Sequence, residues 1–190
     1  MSGGTVVVSA GSYHLPFQRL VDWMAPWVAE HPEVHVVMQH GPSRPLKGAE
    51  NHDVLPYGEL LELCRSADAI VLQGGAGGVM DMRAIGRVPV VVPRVPVDDE
   101  VVDEHQLIFT ERAERLGTVH RAITREQLWS CLDGMLDGSI TTSAPRSEPT
   151  PGVVAAASVL GTLPERLPLR MRVARLGRSA RGILFGRRAR

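Results

Sequence analysis

The sequence predicts an α/β protein built on a mostly parallel sheet. Two observations favour this class. Short continuous apolar runs, rich in valine, alternate through residues 1–137 with longer segments whose apolar residues recur at helical spacing. Glycine or proline follows the runs, at the points where a strand must turn into a helix. Strands covered by helices on both faces lack the polar alternation of a half-exposed sheet, so continuous apolar runs are typical of parallel sheets.

The first half of the chain contains three predicted strands and two predicted helices. Pro16 suits the first turn of a helix, and Pro26 inside the same segment is a potential kink. Polar residues with proline and glycine predict a loop over 42–53. The predicted elements are the strand Thr5–Ser9, the helix Pro16–Val28, the strand Val34–Gln39, the short strand Val54–Tyr57 and the helix Gly58–Ser66.

The second half repeats the alternation without any internal sequence repeat. Thr124 is a candidate N-cap, with Gln127 at the capping-box position three residues later. The predicted elements are the strand Asp68–Gln73, a turn over Gly74–Gly78, the helix Val79–Ile85, the strand Val88–Val92, a loop over Pro93–Glu100, the helix Asp103–Leu116, a short strand at Val119 and the helix Thr124–Leu136.

The charge distribution divides the chain into an acidic body and a basic tail. Residues 1–162 carry 12 basic and 20 acidic residues, a net charge of −8, whereas residues 163–190 carry nine arginines and Glu165, a net charge of +8. We therefore predict a domain over 1–137, a linker over 138–162 and a basic tail over 163–190. An acidic body disfavours nonspecific nucleic-acid binding, so no nucleic-acid partner is predicted.

The tail alternates arginines with apolar residues, as an amphipathic segment does. Such a segment can lie on an anionic membrane surface, or it can be a solvated tail that docks on an acidic surface. No run of 18 apolar residues and no secretory signal pattern are present. We therefore expect a cytoplasmic protein, with contact at the inner face of the cytoplasmic membrane as an additional expectation.

Metal and nucleophile patterns are weak. Cys64 and Cys131 have no ligand spacing, and they are expected to be buried thiols rather than zinc ligands. No Ser/His/Asp arrangement follows from spacing. The sequence therefore predicts neither a metal site nor a cofactor, and it identifies no catalytic base.

The candidate binding residues follow the ends of strands, where open α/β sheets bind their ligands. Four glycines in Gly74–Gly78 allow close backbone approach, and the helix that follows offers free N–H groups and a positive dipole end to an anion such as a diphosphate. The alternative is a tight β–α turn whose glycines serve packing. The spacing fits neither a dinucleotide fingerprint nor a P-loop.

Two acidic features accompany this loop. Asp81, in the first turns of the helix, could accept both hydroxyls of a ribose or could interact only with the helix dipole. The segment from Asp98 to Gln106 holds five carboxylates, which could bind a metal, grip sugar hydroxyls or form a solvated loop.

The order of motifs resembles the C-terminal, donor-binding domain of family 28 glycosyltransferases over about residues 5–137. The chain is most similar to the single-lobe type, such as the catalytic subunit of the two-chain dolichol-linked N-acetylglucosaminyltransferase and bacterial exopolysaccharide glycosyltransferase subunits. The matching motifs are Gly11-x4-Pro16-Phe17-x-Arg19, Met38-Gln39-His40-Gly41, Ala67-Asp68-Ala69 with Gly75-Ala76-Gly77, Pro89-Val90-Val91-Val92-Pro93-Arg94 and Glu100-x-Val102-Asp103-x-His105-Gln106.

The resemblance implies a Rossmann-like lobe of GT-B type that binds a UDP-sugar as substrate, without a cofactor. Arg94 would either neutralise phosphate charge or brace its loop. The implied donor-binding residues are Gly11, Ser12, His14, Gly75, Ala76, Gly77, Gly78, Asp81, Arg94, Glu100, Asp103, His105 and Gln106. Of these, the first loop and Gly75–Gly78 would contact the diphosphate, Asp81 the ribose, and His105 with Gln106 the sugar and diphosphate.

The resemblance also implies an enzyme, an inverting UDP-sugar-dependent hexosyltransferase that works with a partner. One lobe is half of a GT-B cleft, so a membrane-anchored subunit would supply the acceptor site and the catalytic base, and the acceptor would be lipid-linked or a polysaccharide. Asp81 replaces the family glutamate, Gly78 a hydroxyl residue and Val101 a histidine. These departures keep open a non-catalytic lobe that scaffolds a polysaccharide biosynthesis complex; a sugar-nucleotide 2-epimerase is disfavoured because it needs two lobes.

Overall fold

A single six-stranded sheet forms the centre of the protein in the computed structural model, which describes residues 3–144 and residue 158. The basic tail and most of the predicted linker lie outside the described residues. The strands are β1 (Thr5–Ser9), β2 (His35–Gln39), β3 (Glu50–His52), β4 (Ala69–Gln73), β5 (Val90–Val92) and β6 (His120–Arg121). The helices are α1 (Gln18–Glu30), α2 (Tyr57–Ser66), α3 (Ala76–Ile85), α4 (His105–Arg115) and α5 (Arg125–Leu136), with a 3₁₀ turn at Pro96–Asp98.

The six strands are all parallel, in the order β3-β2-β1-β4-β5-β6. The predicted α/β class is therefore confirmed. The chain leaves β1 first toward β2 and later returns on its other side at β4, so the carboxyl ends of β1 and β4 flank the point where the winding reverses. Loops diverge at such a point and leave a crevice for a ligand.

Helices cover both faces of the sheet, as the apolar strands predict. Alternate residues of the strands face opposite ways. Val6 and Val8 of β1 pack in the core cluster that contains residues of α1 and α5, whereas Val7 packs in the cluster formed with α2 and α3. Val91 of β5 packs with residues of α3 and α4. The N-terminus of α5 carries the predicted capping box of Thr124 and Gln127.

The prediction for the third strand was wrong. Residues Val54–Tyr57 are not a strand; β3 lies at Glu50–His52, within the predicted loop. This strand stands at the edge of the sheet and pairs only with β2. An edge strand is not buried on both sides, so it does not need the apolar run by which the other strands are recognised.

The predicted domain end at residue 137 also differs from the structure. Residues 140–144 still pair with the domain: the N–H of Val88 donates to the Thr142 carbonyl at 2.9 Å, and the N–H of Ala144 donates to the Gly86 carbonyl at 3.1 Å. Ile140 packs beside the main core cluster. Residues 140–144 therefore belong to the domain, although their composition predicts a linker.

Candidate functional site

A pocket lies at the carboxyl ends of β1 and β4, at the reversal of the sheet. Its volume is about 190 Å³, room for about six water molecules at about 30 Å³ each. It accommodates part of a nucleotide rather than a whole one. The residues around it are Ser9, Gly11, Ser12, Gln39, Tyr57, Leu60, Leu61, Cys64, Leu72, Gln73, Gly75, Gly78, Asp81 and Met82. Five predicted site residues are among them: Gly11, Ser12, Gly75, Gly78 and Asp81.

Gly11 is required by its conformation and by its neighbour. Its φ is +78°, in the left-handed region that favours glycine. A Cβ atom there would lie 2.1 Å from Nε2 of Gln73. The Gly11 N–H donates to Oγ of Ser9 at 3.2 Å, which ties the loop to the end of β1. The first glycine loop therefore approaches β4 as closely as backbone allows.

The second glycine loop is shorter than predicted, because α3 already begins at Ala76. None of the glycines at 74, 75, 77 and 78 has a positive φ. Close packing explains Gly74 instead, since a Cβ there would lie 3.0 Å from Oε1 of Gln106 and 3.0 Å from Cα of Pro93. A Cβ on Gly77 would meet no atom within 4 Å, so that glycine leaves open space at the helix start.

The start of α3 presents backbone donors at the pocket. The first N–H groups of an α-helix have no carbonyl partner within the helix, and here they belong to Ala76, Gly77 and Gly78. Gly75 is the N-cap residue and makes no side-chain cap. The predicted diphosphate residues of this loop therefore offer unshielded N–H groups and the positive end of the helix dipole.

Asp81 faces the pocket, but it already has a partner. The hydroxyl of Tyr57 donates to Oδ1 of Asp81 at 2.9 Å, and this bond raises the pKa of Tyr57. Tyr57 was not predicted from the sequence, because 24 residues separate it from Asp81 and no motif connects α2 with α3. The pair places a hydroxyl and a carboxylate at the opening between these helices.

Arg94 and Glu100 lie beneath the site rather than on its surface. Arg94 is 0% exposed and Glu100 is 2% exposed. The guanidinium of Arg19 forms an ion pair with Glu100 at 2.7 Å, and the N–H of Val95 donates to the same carboxylate at 2.9 Å. Burial lowers the pKa of Arg94. These contacts indicate that Arg94 and Glu100 brace the loop after β5. They do not indicate that either side chain contacts the donor directly.

Gln73 is a second residue that the sequence analysis missed. It ends β4 directly before the glycine loop, and this position was the available signal. Its Oε1 accepts a hydrogen bond from Nε of Arg94 at 2.8 Å. Its Nε2 lies close to the position that a Cβ of Gly11 or Gly75 would occupy. The carboxamide therefore lies between the two glycine loops.

The predicted His-Gln pair occupies the start of α4. Gln106 is buried, with Oε1 accepting from the backbone N–H of Arg94 at 3.1 Å, whereas His105 is exposed. Asp103 accepts a hydrogen bond from the His105 backbone at 2.9 Å and also contacts its ring. The backbone bond lowers the pKa of Asp103. Asp103 thus orients the exposed imidazole, while Gln106 connects to Arg94.

His14 is exposed and does not line the pocket. Its ring lies 4.4 Å from the ring of Tyr13, centre to centre. The loop after β1 therefore brings Gly11 and Ser12 to the pocket and leaves His14 outside its lining.

A larger cleft of about 640 Å³ lies near the amino end of β1. Its lining includes the carboxylate residues Glu33, Asp68, Asp133 and Asp137, whose charges would repel a diphosphate. Among residues 3–144, no cluster of three or more metal-ligating side chains occurs. The strand-end pocket is therefore the candidate site, although it is the smaller of the two.

An all-parallel sheet with a pocket at its winding reversal defines a Rossmann-like lobe that binds its ligand across strand ends. The glycosyltransferase family 28 C-terminal domain matches residues 5–154, and the chain belongs to this family. The resemblance stated from the motifs is thereby confirmed, and the chain is a glycosyltransferase donor-binding domain.

Solved glycosyltransferases share the fold. The kitacinnamycin glycosyltransferase superposes with a TM-score of 0.55 at 22% identity, over 84% of this chain and 38% of that protein. ALG13 superposes with a TM-score of 0.52 at 15% identity, over 77% of this chain and 91% of ALG13. MurG from Acinetobacter baumannii superposes with a TM-score of 0.51 at 17% identity, over 70% of this chain and 42% of MurG. The GT-B-type lobe is thus confirmed.

The chain spans less than half of the kitacinnamycin enzyme and of MurG, but it matches nearly the whole of ALG13. No curated protein sequence matches the chain. In the described part of the chain, no helix is both long and apolar enough to cross a membrane.

Proposed function

We propose that this chain is the donor-binding subunit of a two-chain inverting glycosyltransferase, which takes a hexosyl group from a UDP-sugar. A second, membrane-anchored subunit supplies the acceptor, a lipid-linked sugar or a growing polysaccharide. One observation carries the proposal: the ends of β1 and β4 enclose a pocket bordered by two glycine loops, the start of α3 and the Tyr57–Asp81 pair.

The division of the pocket suits a nucleoside diphosphate. The apolar side chains of Leu60, Leu61 and Met82 line the part beside α2 and α3, where a base ring can be buried. Asp81 lies on the same side and can accept ribose hydroxyls. Gly11 and the start of α3 lie at the strand ends, where their close backbone approach suits the two phosphates.

The proposed reaction is direct displacement at the anomeric carbon. A base on the partner subunit removes the proton of the acceptor hydroxyl, the oxygen attacks, and the bond from the sugar to UDP breaks. Negative charge then grows on the diphosphate. The N–H groups at Ala76, Gly77 and Gly78 are already oriented by α3, so they can stabilise this charge without reorganising.

The binding of UDP is the direct test. We expect calorimetric titration of the full chain to detect UDP and at least one UDP-sugar, alone or with the partner subunit. Adenosine and guanosine diphosphates test base selection and are expected to bind more weakly. Absence of heat with UDP and with every UDP-sugar, in the presence of the partner, would remove the proposal.

Replacing Asp81 by alanine is expected to lower the affinity for UDP about tenfold or more, because hydrogen bonds to a charged group are lost. The loss should be smaller for 2′-deoxy-UDP, because that ligand lacks one of the two hydroxyls. Asp22→Ala is the matched control, since Asp22 of α1 is exposed and pairs with Arg44 of the loop after β2. Titration of both ligands against the three proteins measures the difference.

Electrostatics alone predicts the opposite sign for Asp81→Ala. Removing a negative charge near a diphosphate would strengthen its binding. Equal or tighter binding of UDP by this variant would therefore exclude a ribose contact of Asp81.

A non-catalytic scaffold is the second candidate function, and the Tyr57–Asp81 bond favours it. This bond occupies one carboxylate oxygen that a ribose would use. Asp81→Ala and Gln106→Ala distinguish the two functions in cells. Reduced polysaccharide output with normal protein levels supports the transferase, whereas unchanged output supports the scaffold. Membrane contact through residues 163–190 stays a prediction, as these residues lie outside the described part of the chain.

A further inference from the structure

Arg94 is a buried cation whose guanidinium is surrounded by backbone oxygen. The side chain is 0% exposed. Its Nη2 donates to the Ala10 carbonyl at 2.9 Å, and its Nη1 donates to the Glu100 carbonyl at 2.9 Å and to the Leu15 carbonyl at 3.0 Å. The Glu100 carboxylate is directed to Arg19 instead. Arg94 thus connects the loops after β1 and β5 without touching the pocket.

Two glutamines accept hydrogen bonds from two further donors of Arg94. The side-chain Nε–H donates to Oε1 of Gln73 at 2.8 Å, and the backbone N–H donates to Oε1 of Gln106 at 3.1 Å. A carboxamide has one accepting end and one donating end. Because Arg94 offers only donors, it holds both oxygens toward itself and turns both NH₂ groups away.

The NH₂ group of Gln73 is turned toward the glycine loops, whereas Gln106 faces Gly74 with its oxygen. A Cβ of Gly11 would lie 2.1 Å from Nε2 of Gln73, and a Cβ of Gly75 would lie 3.3 Å from it. Gln106 packs against Gly74, whose Cβ would lie 3.0 Å from Oε1. Within residues 3–144, neither NH₂ group donates a hydrogen bond to another residue.

We propose that Arg94 is a positioning residue that fixes the polarity of the Gln73 carboxamide, so that Gln73, which lines the pocket, presents N–H donors to the diphosphate of the donor. This inference rests on the proposed function, because it needs an anionic ligand between the glycine loops. Arg94 contributes through Gln73 and does not contact the ligand. Without this bond the carboxamide could turn its oxygen toward the ligand, where it would repel phosphate oxygen.

Gln73→Glu tests the orientation with almost no change of shape. One carboxylate oxygen keeps the bond to Arg94, while the other replaces the NH₂ group. We expect the affinity for UDP to fall about tenfold to hundredfold, since a charged hydrogen bond is lost, and the affinity for uridine to change less than about twofold. NMR titration measures both ligands. Gln127→Glu adds the same charge in the capping box of α5, where oxygen is the accepting atom, and it should leave both affinities unchanged.

The Arg94→Lys variant separates the effect of carboxamide orientation on UDP binding from the effect of the positive charge at residue 94. Lysine keeps the positive charge and the backbone N–H to Gln106, but it lacks the Nε–H held against Gln73. We expect weaker UDP binding, and a smaller further effect of Gln73→Glu than in the original chain. The side-chain NH₂ signal of Gln73 should shift on adding UDP to the original chain and shift less in Arg94→Lys. Circular dichroism confirms that each variant is folded.

The outcomes separate this inference from the proposed function. If the original chain with its partner binds no UDP, the proposed function fails first. If UDP binds and Gln73→Glu binds it equally well, the polarity inference is wrong. Wild-type affinity and an unchanged Gln73 NH₂ shift in folded Arg94→Lys would limit Arg94 to a bracing role.

Discussion

Arg19→Met is expected to lower the free energy of unfolding by about 3–5 kcal/mol, the usual cost of leaving one member of a buried ion pair alone. Nε and Nη2 of Arg19 both donate to the Glu100 carboxylate, at 2.9 and 2.7 Å. Glu100 is 2% exposed, so water cannot replace the lost donors. The Arg19 guanidinium also lies over the Trp23 ring, 4.7 Å from its centre, and methionine keeps only the apolar stem of the side chain. Urea unfolding followed by circular dichroism measures the loss.

Arg44→Met is the matched control for this prediction. Arg44, in the loop after β2, pairs with Asp22 of α1, but both side chains are mostly exposed, so the change should cost less than about 1 kcal/mol. Adding Glu100→Gln to Arg19→Met removes the stranded charge and should recover part of the stability. Similar costs for the two arginine variants would contradict the assignment of a buried pair.

The sheet and most helices could be predicted because their residues are buried by neighbouring elements in chain order. Val6, Val7 and Val8 form a continuous apolar run because helices cover both faces of β1. Thr124 and Gln127 specify the start of α5 through local hydrogen bonds alone. By contrast, Glu50–His52 forms a strand only through pairing with β2. No local sequence pattern predicts an edge strand of this kind.

The site could be predicted to the level of loops but not of contacts. Gly11 and Gly75 border the pocket as expected, because strand ends meet at one edge of a parallel sheet. The burial of Arg94 depends on carbonyls of Ala10 and Leu15, 84 and 79 residues away in the chain. Gln73 is marked in the sequence by its position before the glycine loop, but its bond to Arg94 forms only where the loops meet. Hydrogen bonds between residues so far apart in the chain are not marked by any recognisable spacing of residues in the sequence.

Gly11→Ala is expected to damage both stability and binding. A residue with a Cβ at φ +78° costs about 1–2 kcal/mol from backbone strain. The new methyl group would also lie 2.1 Å from Nε2 of Gln73, which Arg94 holds in place. We expect the free energy of unfolding to fall by at least that strain, and the affinity for UDP to fall about tenfold or more, as when a hydrogen bond to a charged group is lost. Urea unfolding and calorimetric titration measure the two effects.

Two further variants identify the cause. Gly58→Ala lies in α2, where a Cβ meets no atom within 4 Å, and alanine should maintain stability or raise it by up to about 1 kcal/mol. Combining Gly11→Ala with Gln73→Ala removes the collision but keeps the strain. If the collision matters, the double variant is more stable than the sum of the single losses predicts. If the two losses in the free energy of unfolding are strictly additive, the whole cost of Gly11→Ala comes from backbone strain. The first glycine loop and Gln73 are then not coupled energetically.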